Sequence, residues 1–267
     1  MATAVICEFN PFHNGHKYLL ESAKNVLKEP VIAIMSGSFT QRGEVAVCDK
    51  FVRAKSALES GADLVLELPV VFSLSGAEGF AKAGVAIASA FDCTNYLAFG
   101  SESGDCELLK KSANAVCDER VQALVRDGMK NGGYYPRELE NAVKTVFGDE
   151  ISSVLCEPNN ILGIEYIKAL NGTGVEPFSV ARTGVAHDSR IAGEGFASAS
   201  HIREMLRNGE NAKKYAPYIP DEITFPENLD RPLLYRLRTM TREDIAKLPD
   251  VGEGLENRIA DAAVRCS

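Results

Sequence analysis

Two histidines, His13 and His16, stand three residues apart in the segment His13-Asn14-Gly15-His16. At that spacing, both side chains lie on one face of the first turn of a helix. A largely apolar run over residues 3–9 precedes them and predicts a buried strand, and apolar residues at helical spacing follow them. A helix N-terminus offers unpaired backbone N–H groups and a positive dipole end to a phosphate. The segment therefore predicts a corner that stabilises the charge that develops on a phosphate during displacement.

Other interpretations of this corner are weaker. Gly15 lacks a β-carbon, so the backbone can approach a bulky anion. A helix cap with two solvent-facing histidines is the plain structural alternative, but two of the four histidines of the chain lie here. A metal site on His13 and His16 is less favoured, because no third ligand with typical spacing lies nearby. No Walker loop, GxGxxG or HExxH motif occurs, so nucleotide binding is predicted to depend on this corner.

A second anion-binding corner is predicted from Ser198 to Arg203. Ser198 and Ser200 stand at the start of a short predicted helix over residues 201–207, and Arg203 lies in its first turn. Hydroxyl groups, a helix start and a guanidinium all suit phosphate. A serine cap beside a surface arginine is the structural alternative. Because the segment follows the first corner in the same predicted domain, we interpret it as a grip on the β- and γ-phosphates.

The elements that position these corners are strands alternating with helices. The strands are nearly all apolar, which is typical of a parallel sheet covered by helices on both faces. We therefore predict an α/β fold with a Rossmann-like parallel sheet, whose ligands bind outside the carboxyl ends of the strands. The predicted strands are residues 3–9, 31–35, 64–68, 95–99 and 175–181.

The predicted domain organisation changes near Gly209. Residues 105–170 are predicted to be mainly helical, with Pro158-Asn159-Asn160 opening a helix over residues 161–170. Beyond Gly209, the pattern becomes short segments punctuated by proline. We therefore expect a nucleotide-binding domain over residues 1–208 and a small helical C-terminal region over residues 209–267.

The composition excludes several classes of protein. The chain has 267 residues, of which 45% are hydrophobic and 25% charged, as in ordinary soluble globular proteins. No apolar run approaches the roughly 18 residues that a membrane span needs. The N-terminus turns polar at Glu8 before a secretory apolar core can form, so we expect a cytoplasmic protein without a membrane partner.

Cysteine usage and net charge give two further expectations. The seven cysteines are odd in number and widely spaced, without a CxxC motif, which indicates neither a disulfide framework nor a zinc site. The net charge of −8 does not favour general nucleic-acid binding, so any RNA contact needs a local basic patch.

Several longer motifs together resemble one family of tRNA-modifying enzymes. The HxGH pattern of His13 and His16 identifies only a nucleotidyltransferase superfamily, whereas the long first motif joined to the segment from Ser36 to Glu44 is much more specific. Together the motifs resemble the tRNA(Met) cytidine acetate ligase family, a branch of the HxGH nucleotidyltransferase superfamily, along nearly the whole chain. The matching segments are residues 8–16, 35–44, 61–69, 99–102, 158–163, 198–203 and 248–251.

The resemblance implies an ATP-dependent ligase that works in two steps. Acetate would attack the α-phosphate of ATP to give acetyl-adenylate and pyrophosphate. The acetyl group would then pass to N4 of the wobble cytidine in elongator tRNA(Met). ATP, acetate and elongator tRNA(Met) are thus the implied partners, and magnesium is expected on the phosphates. The acetate pocket and the oligomeric state stay open.

Two alternatives remain at this point. The first is an adenylyltransferase acting on a small phosphorylated coenzyme precursor, which would use the same HxGH corner. The second is a nucleotide- or RNA-binding protein without catalysis. The presence of His13, His16 and Arg203 argues against the second alternative, because a pure binder has little use for groups that stabilise a transition state.

The resemblance also implies roles for individual residues. His13 and His16 would stabilise the transition state at the α-phosphate, and Arg203, with the serines before it, would hold the departing pyrophosphate. The structural alternatives are a tight strand-to-loop turn for Gly100, a helix cap for Asn159, which can coexist with ligand binding, and a surface cation for Arg182. The implied ATP contacts are Ile6, Cys7, Glu8, Phe9, Asn10, Pro11, Phe12, His13, Asn14, Gly15, His16, Lys17, Tyr18, Leu19, Gly100, Asn159, Arg182, Ser198, Ser200 and Arg203.

Two other regions are open to more than one interpretation. Gln41, Arg42 and Glu44 follow the second predicted strand, and they fit a substrate-facing loop and a solvated polar loop about equally. Members of the family are usually longer, with a further basic C-terminal stretch, so the C-terminal region is expected to be truncated relative to them. Its arginines are expected to form either part of an RNA-facing surface or a solvated helical face: Arg231, Arg236, Arg238, Arg242 and Arg258.

Overall fold

A computed structural model of the chain describes residues 1–182 and 195–266. The first compact unit is Met1–Ile223, and the second begins at Thr224. The first unit combines a sheet with helices, and the second is helical. No helix within the described residues is long and apolar enough to cross a membrane.

One parallel sheet organises the first unit. In the described residues its strands are β1 (Ala2–Cys7), β2 (Val31–Ser36), β3 (Leu64–Leu68), β4 (Thr94–Ser101) and β5 (Glu176–Ala181). Their order is β3-β2-β1-β4-β5. The chain therefore adds two strands on one side of β1 and then returns to add two on the other side. The change of direction between β1 and β4 leaves a crevice at the carboxyl ends, where open α/β sheets bind their ligands.

Helices connect the strands of the first unit. They are α1 (Asn14–Leu27), α2 (Lys50–Glu59), α3 (Val70–Ser73), α4 (Ala77–Ser89), α5 (Cys106–Cys117), α6 (Glu119–Lys130), α7 (Tyr135–Phe147), α8 (Asp149–Ser153), α9 (Pro158–Leu170) and α10 (Ala199–Arg207). Aspartates cap three of these helices, since the carboxylates of Asp49, Asp105 and Asp118 accept backbone N–H groups of the first turns of α2, α5 and α6.

Successive residues of the central strand enter different hydrophobic cores. Ala4 and Ile6 of β1 pack in the core that includes residues of α4, α5 and α9. Val5 and Cys7 pack in a second core with residues of α1 and α2. A strand that is buried on both faces has no polar face, which is why its sequence is a continuous apolar run.

Two of the element boundaries that differ from the sequence expectation lie beside the site. β1 ends at Cys7 rather than at Phe9, because the backbone of Phe9 adopts a positive φ of 50° and leaves the sheet. The Phe9 ring instead packs edge-on against Phe12, with the ring centroids 4.9 Å apart. α9 begins at Pro158, and Glu157 occupies the N-cap position, so Asn159 lies inside the first helical turn. Pro158 is compatible with this position because it needs no N–H partner there.

A small third core lies beyond the sheet. Ala197, which precedes α10, and Ile202 of α10 pack against Ala212 and Ala216. The first compact unit consequently reaches Ile223, further along the chain than the boundary expected at residue 208.

The second unit consists of short helices held by arginine side chains. A 3₁₀ turn at Pro226–Leu229 leads into α11 (Asp230–Thr239), followed by α12 (Arg242–Ala246) and α13 (Leu255–Arg265). Arg238 of α11 donates hydrogen bonds to the carbonyl oxygens of Ala263, at 2.8 Å, and Cys266. Arg242 pairs with Asp261 of α13 at 2.7 Å. These two arginines thus connect helices within the unit, and a role in RNA binding stays a prediction.

Candidate active site

The two histidines lie side by side at the start of α1. Nδ1 of His13, the N-cap residue, accepts the backbone N–H of Gly15 at 3.0 Å. Nδ1 of His16 accepts the backbone N–H of His13 at 3.3 Å. The two rings stack, with centroids 3.7 Å apart and an interplanar angle of 24°. Since each Nδ1 is an acceptor, the proton of each neutral ring resides on Nε2, which is left as a donor.

Both imidazoles are held in the neutral form. Burial, followed by the charges of Arg182 and Arg203, lowers the pKa of His13 to about 3. Burial, followed by the neighbouring His13 and Arg182, lowers the pKa of His16 well below its ordinary value. A group whose pKa is depressed by folding stabilises the folded state above its unfolded pKa, which is about 6.5 for histidine. That stability is lost as the pH falls from about 6.5 toward the folded-state pKa, which is about 3 for His13. At neutral pH, the pair therefore acts as two Nε2–H donors without a full positive charge.

We expect neither histidine to titrate between about pH 8 and pH 6 in the ligand-free protein, since the pKa of His13 is lowered to about 3 and that of His16 lies well below its ordinary value. Long-range ¹H–¹⁵N NMR of the imidazoles is the measurement, with assignment from His13→Gln and His16→Gln variants. Both rings should show the Nε2–H tautomer across this range. Titration of either ring near pH 6.5, or a proton on Nδ1, would contradict the cap geometry.

A buried arginine fixes the chain segments that enter the site. Arg53 of α2 is 1% exposed. Its guanidinium donates to the carbonyl oxygens of Glu8 at 2.5 Å, Ser36 at 3.2 Å, Cys48 at 3.1 Å, and Gly37. A guanidinium carries five N–H donors in a rigid plane, so one side chain can satisfy several carbonyls at once. Arg53 thereby ties the carboxyl ends of β1 and β2 to α2.

The loop after β2 closes on the segment between β1 and α1. The carboxylate of Glu8 accepts the backbone N–H of Gln41 at 2.6 Å. The side-chain oxygen of Asn10 accepts the backbone N–H of Val47 at 2.7 Å. These bonds bring Gln41 and its neighbours to the cavity beside the histidines, so the loop faces that cavity.

The second predicted corner meets the first in space. Arg203 Nη1 donates to the carbonyl oxygen of Asn10 at 2.9 Å, although the two residues are far apart in the chain. Its Nη2 donates to the hydroxyl of Ser200 at 3.4 Å. Ser198 caps α10, because its hydroxyl accepts the backbone N–H of His201 at 3.1 Å. The start of α10 is therefore held against the residues that lead into α1.

A third group of polar residues lies directly after β4, directly after β5 and in the first turn of α9. Glu102 accepts a hydrogen bond from the side-chain amide of Asn159 at 2.5 Å and from the backbone N–H of Asn160 at 2.9 Å. Arg182 Nη1 donates to the oxygen of that Asn159 amide at 3.4 Å. The Nε–H of Arg182 is buried without a partner among the described residues. Such a donor fits an anionic or carbonyl group of a ligand.

Residues from each of these groups line one cavity of about 300 Å³. That volume lies within the range of small-molecule sites. The cavity brings together residues that the sequence singled out separately: Ile6, Cys7, Glu8, Phe9, Asn10, His13, Gly15, His16, Tyr18, Leu19, Gly100, Asn159, Arg182, Ser198, Ser200 and Arg203.

Four implied ATP contacts do not line this cavity. Phe12 is buried in the core beneath α1, and Pro11 precedes it. The side-chain amide of Asn14 donates to carbonyl oxygens of the chain on either side of α10. Lys17 points to solvent, with Nζ 3.8 Å from a carboxylate oxygen of Glu21. Their part in nucleotide binding stays a prediction.

An apolar wall of the cavity was missed by the sequence analysis. Phe80 of α4, Phe99 of β4 and Tyr166 of α9 line it, and the rings of Phe99 and Tyr166 lie 5.6 Å apart. The same residues belong to the hydrophobic core, so their sequence pattern is that of core residues. Glu102 was missed as a positioning residue, although the matching segment 99–102 contained it. Within the described ranges, no group of three or more His, Cys, Asp or Glu side chains is placed to hold a metal ion.

Known proteins resemble this chain along its whole length. The family model described as HIGH Nucleotidyl Transferase matches residues 1–267. A tRNA(Met) cytidine acetate ligase from Caldanaerobacter subterraneus subsp. tengcongensis is 39% identical, over 98% of this chain and 70% of the relative. One of the same name from Mycoplasma mobile is 36% identical, over 97% of this chain and 86% of the relative. The chain belongs to the tRNA(Met) cytidine acetate ligase family.

Solved structures agree with this family membership. The crystal structure of Thermotoga maritima TmcAL without ligand is 33% identical, covers 100% of this chain and 68% of that chain, and has a TM-score of 0.90. A crystal form of the same protein bound with alpha-thio ATP has a TM-score of 0.88. The predicted α/β fold of the nucleotidyltransferase type, with a small helical C-terminal region, is therefore confirmed for this member of the tRNA(Met) cytidine acetate ligase family.

Proposed function

We propose that this chain is an ATP-dependent tRNA(Met) cytidine acetate ligase that acetylates N4 of the wobble cytidine of elongator tRNA(Met). The observation that carries this proposal is the stacked pair of His13 and His16 at the ligand-binding edge of the sheet, in a chain whose relatives bear that name. Arg182 and Arg203 lie around the same cavity and supply positive charge beside the pair. The site thus combines two neutral N–H donors, which can stabilise negative charge in a transition state, with two arginines, which can bind a polyphosphate.

ATP is proposed to bind across the crevice between β1 and β4. The related Thermotoga maritima protein binds alpha-thio ATP. Phe99 and Tyr166 form an apolar wall that suits a purine ring. Gly100, the penultimate residue of β4, lines the same cavity, where a β-carbon would lie in van der Waals contact with the Arg182 side chain at 3.5 Å. Magnesium is proposed to arrive on the phosphates and to keep several water ligands, as this ion commonly does.

The first step is proposed to form acetyl-adenylate. A carboxylate oxygen of acetate attacks the α-phosphorus, and the bond from that phosphorus to the bridging oxygen breaks, so pyrophosphate leaves. The Nε2–H groups of His13 and His16 donate to the α-phosphate oxygens as their negative charge grows. Arg203, with Ser198 and Ser200, holds the departing pyrophosphate by charge-assisted hydrogen bonds. Catalysis of this kind depends mainly on positioning and electrostatics.

The second step is proposed to transfer the acetyl group to RNA. The N4 amine of the cytidine attacks the acetyl carbonyl carbon, the bond to the adenylate oxygen breaks, and AMP leaves. The N4 nitrogen must lose one proton in this step. A tRNA substrate implies that the reaction takes place in the cytoplasm, and the negative net charge of −8 requires the RNA contacts to be local.

The test is mass spectrometry of elongator tRNA(Met) incubated with the protein, ATP and isotope-labelled acetate. The proposal expects a labelled acetyl group on the wobble cytidine, dependent on ATP. Acetate-dependent exchange between ATP and pyrophosphate tests the first step alone, and a coenzyme adenylyltransferase should ignore acetate. Absence of both exchange and labelled cytidine would contradict the proposal.

A further inference from the structure

Glu8 places a carboxylate in a cavity that otherwise suits anions. Glu8 and Glu44 are the acidic residues that line the cavity within the described part of the chain, beside Arg42, Arg182 and Arg203. ATP and acetate are both anions, so a carboxylate repels the groups that the arginines attract. A substrate group that donates a hydrogen bond or a proton would instead gain from an acceptor at this position.

The position of Glu8 is determined by two hydrogen bonds. Its backbone carbonyl oxygen accepts a hydrogen bond from Arg53 at 2.5 Å. Its Oε1 accepts the backbone N–H of Gln41 at 2.6 Å. No described residue donates to the other oxygen, Oε2, so one carboxylate oxygen is anchored and the other is left as an acceptor in the cavity. An anchored carboxylate with one available oxygen has the arrangement of a general base.

We propose that Glu8 is the catalytic base that accepts the N4 proton of the cytidine during acetyl transfer, rather than a contact to ATP. This inference rests on the proposed function, because cytidine N4 is the nucleophile of its second step. As N4 bonds to the acetyl carbon, its proton passes to Oε2, and the electron pair of the broken bond leaves with AMP. The protonated Glu8 then returns the proton to solvent, which completes the balance.

The surroundings of Glu8 support this role over Glu44. Burial raises the pKa of Glu8 above its ordinary value. The hydrogen bond from the Gln41 N–H and the positive charges of Arg203, Arg42 and Arg53 lower the pKa, but the effect of burial is larger. A raised pKa makes a carboxylate a stronger proton acceptor. The side chain of Glu44, in contrast, is anchored by no hydrogen bond from a described residue.

The variant Glu8→Gln tests the proposal, because a glutamine oxygen can still accept the Gln41 N–H but the side chain cannot take a proton. We expect acetate-dependent ATP–pyrophosphate exchange to stay within about threefold of the unaltered protein, while the rate of acetyl transfer falls about 10²-fold or more. Transfer is measured alone by forming acetyl-adenylate on the enzyme, adding elongator tRNA(Met), quenching at set times and counting acetylated cytidine.

Two further variants separate the base from a structural role. Glu8→Asp keeps a carboxylate and is expected to transfer at least about tenfold faster than Glu8→Gln. Glu59→Gln, on the exposed side of α2, is expected to leave both rates unchanged. Equal loss of exchange and transfer in Glu8→Gln would make Glu8 an ATP contact and overturn the proposal. A transfer-specific loss in Glu44→Gln, with normal transfer in Glu8→Gln, would overturn it as well.

Exchange and acetylation measured on the unaltered protein separate a failure of this inference from a failure of the proposed function. If it neither exchanges pyrophosphate nor acetylates tRNA, the proposed function itself fails. If it does both, and Glu8→Gln transfers acetyl at the normal rate, the function stands and only the assignment of Glu8 fails.

Discussion

Replacing His16 by alanine is expected to slow acetyl-adenylate formation by about 10²–10³-fold while ATP binding stays measurable. The neutral Nε2–H of His16 is one of two donors proposed to meet the α-phosphate, and donors that act at a transition state affect turnover more than ground-state binding. The measurements are acetate-dependent ATP–pyrophosphate exchange and calorimetric binding of ATP to the same preparation.

His16 also closes the helix cap, so the catalytic loss needs to be separated from a loss of stability. Nδ1 of His16 accepts the His13 N–H at 3.3 Å, and removal of a cap of this kind costs about 1 kcal/mol. His16→Gln can restore this acceptor, so we expect it to recover the stability but less than about a tenth of the exchange rate. Glu21→Gln, at an exposed position of the same helix and outside the cavity lining, is the matched control and is expected to exchange normally. Normal exchange in His16→Ala would refute the assigned role.

Replacing Arg53 by methionine is expected to lower the free energy of unfolding by about 3 kcal/mol. Four hydrogen bonds from the guanidinium, each worth roughly 1.5–3 kcal/mol as charge-assisted bonds, outweigh a desolvation cost of several kcal/mol. That desolvation is also why burial lowers the pKa of Arg53. Methionine removes the charge but leaves all four carbonyl oxygens without this donor.

Urea unfolding followed by circular dichroism is the measurement for Arg53→Met. The matched control is Lys55→Met on the same helix, whose side chain is exposed and which is expected to change the unfolding free energy by less than about 0.5 kcal/mol. Arg53→Lys should recover only part of the loss, because an ammonium group lacks the planar fork that reaches several carbonyls. A change below about 1 kcal/mol in Arg53→Met would show that other donors replace the guanidinium.

Local patterns were sufficient for the strands and for the histidine corner. Both faces of β1 are buried, so its residues must be apolar, and this makes the strand visible in the sequence. His13 and His16 meet because a helix brings residues three apart onto one face, which requires no information from elsewhere in the chain. The end of β1 was placed too late, since the positive φ of Phe9 is a property of its packing rather than of its residue type.

The sequence by itself determined the parallel α/β architecture, the histidine pair at the start of α1 and the serine and arginine corner at the start of α10, because each follows from a local pattern: apolar runs that alternate with helical periodicity, or side chains that share one helical turn. Only the tertiary structure decided that Arg203 reaches Asn10, that Arg182 reaches Asn159, and that core residues such as Phe99 form a wall of the same cavity. Strand order and loop closure bring these distant segments together, and no local pattern specifies which side chains then face one another.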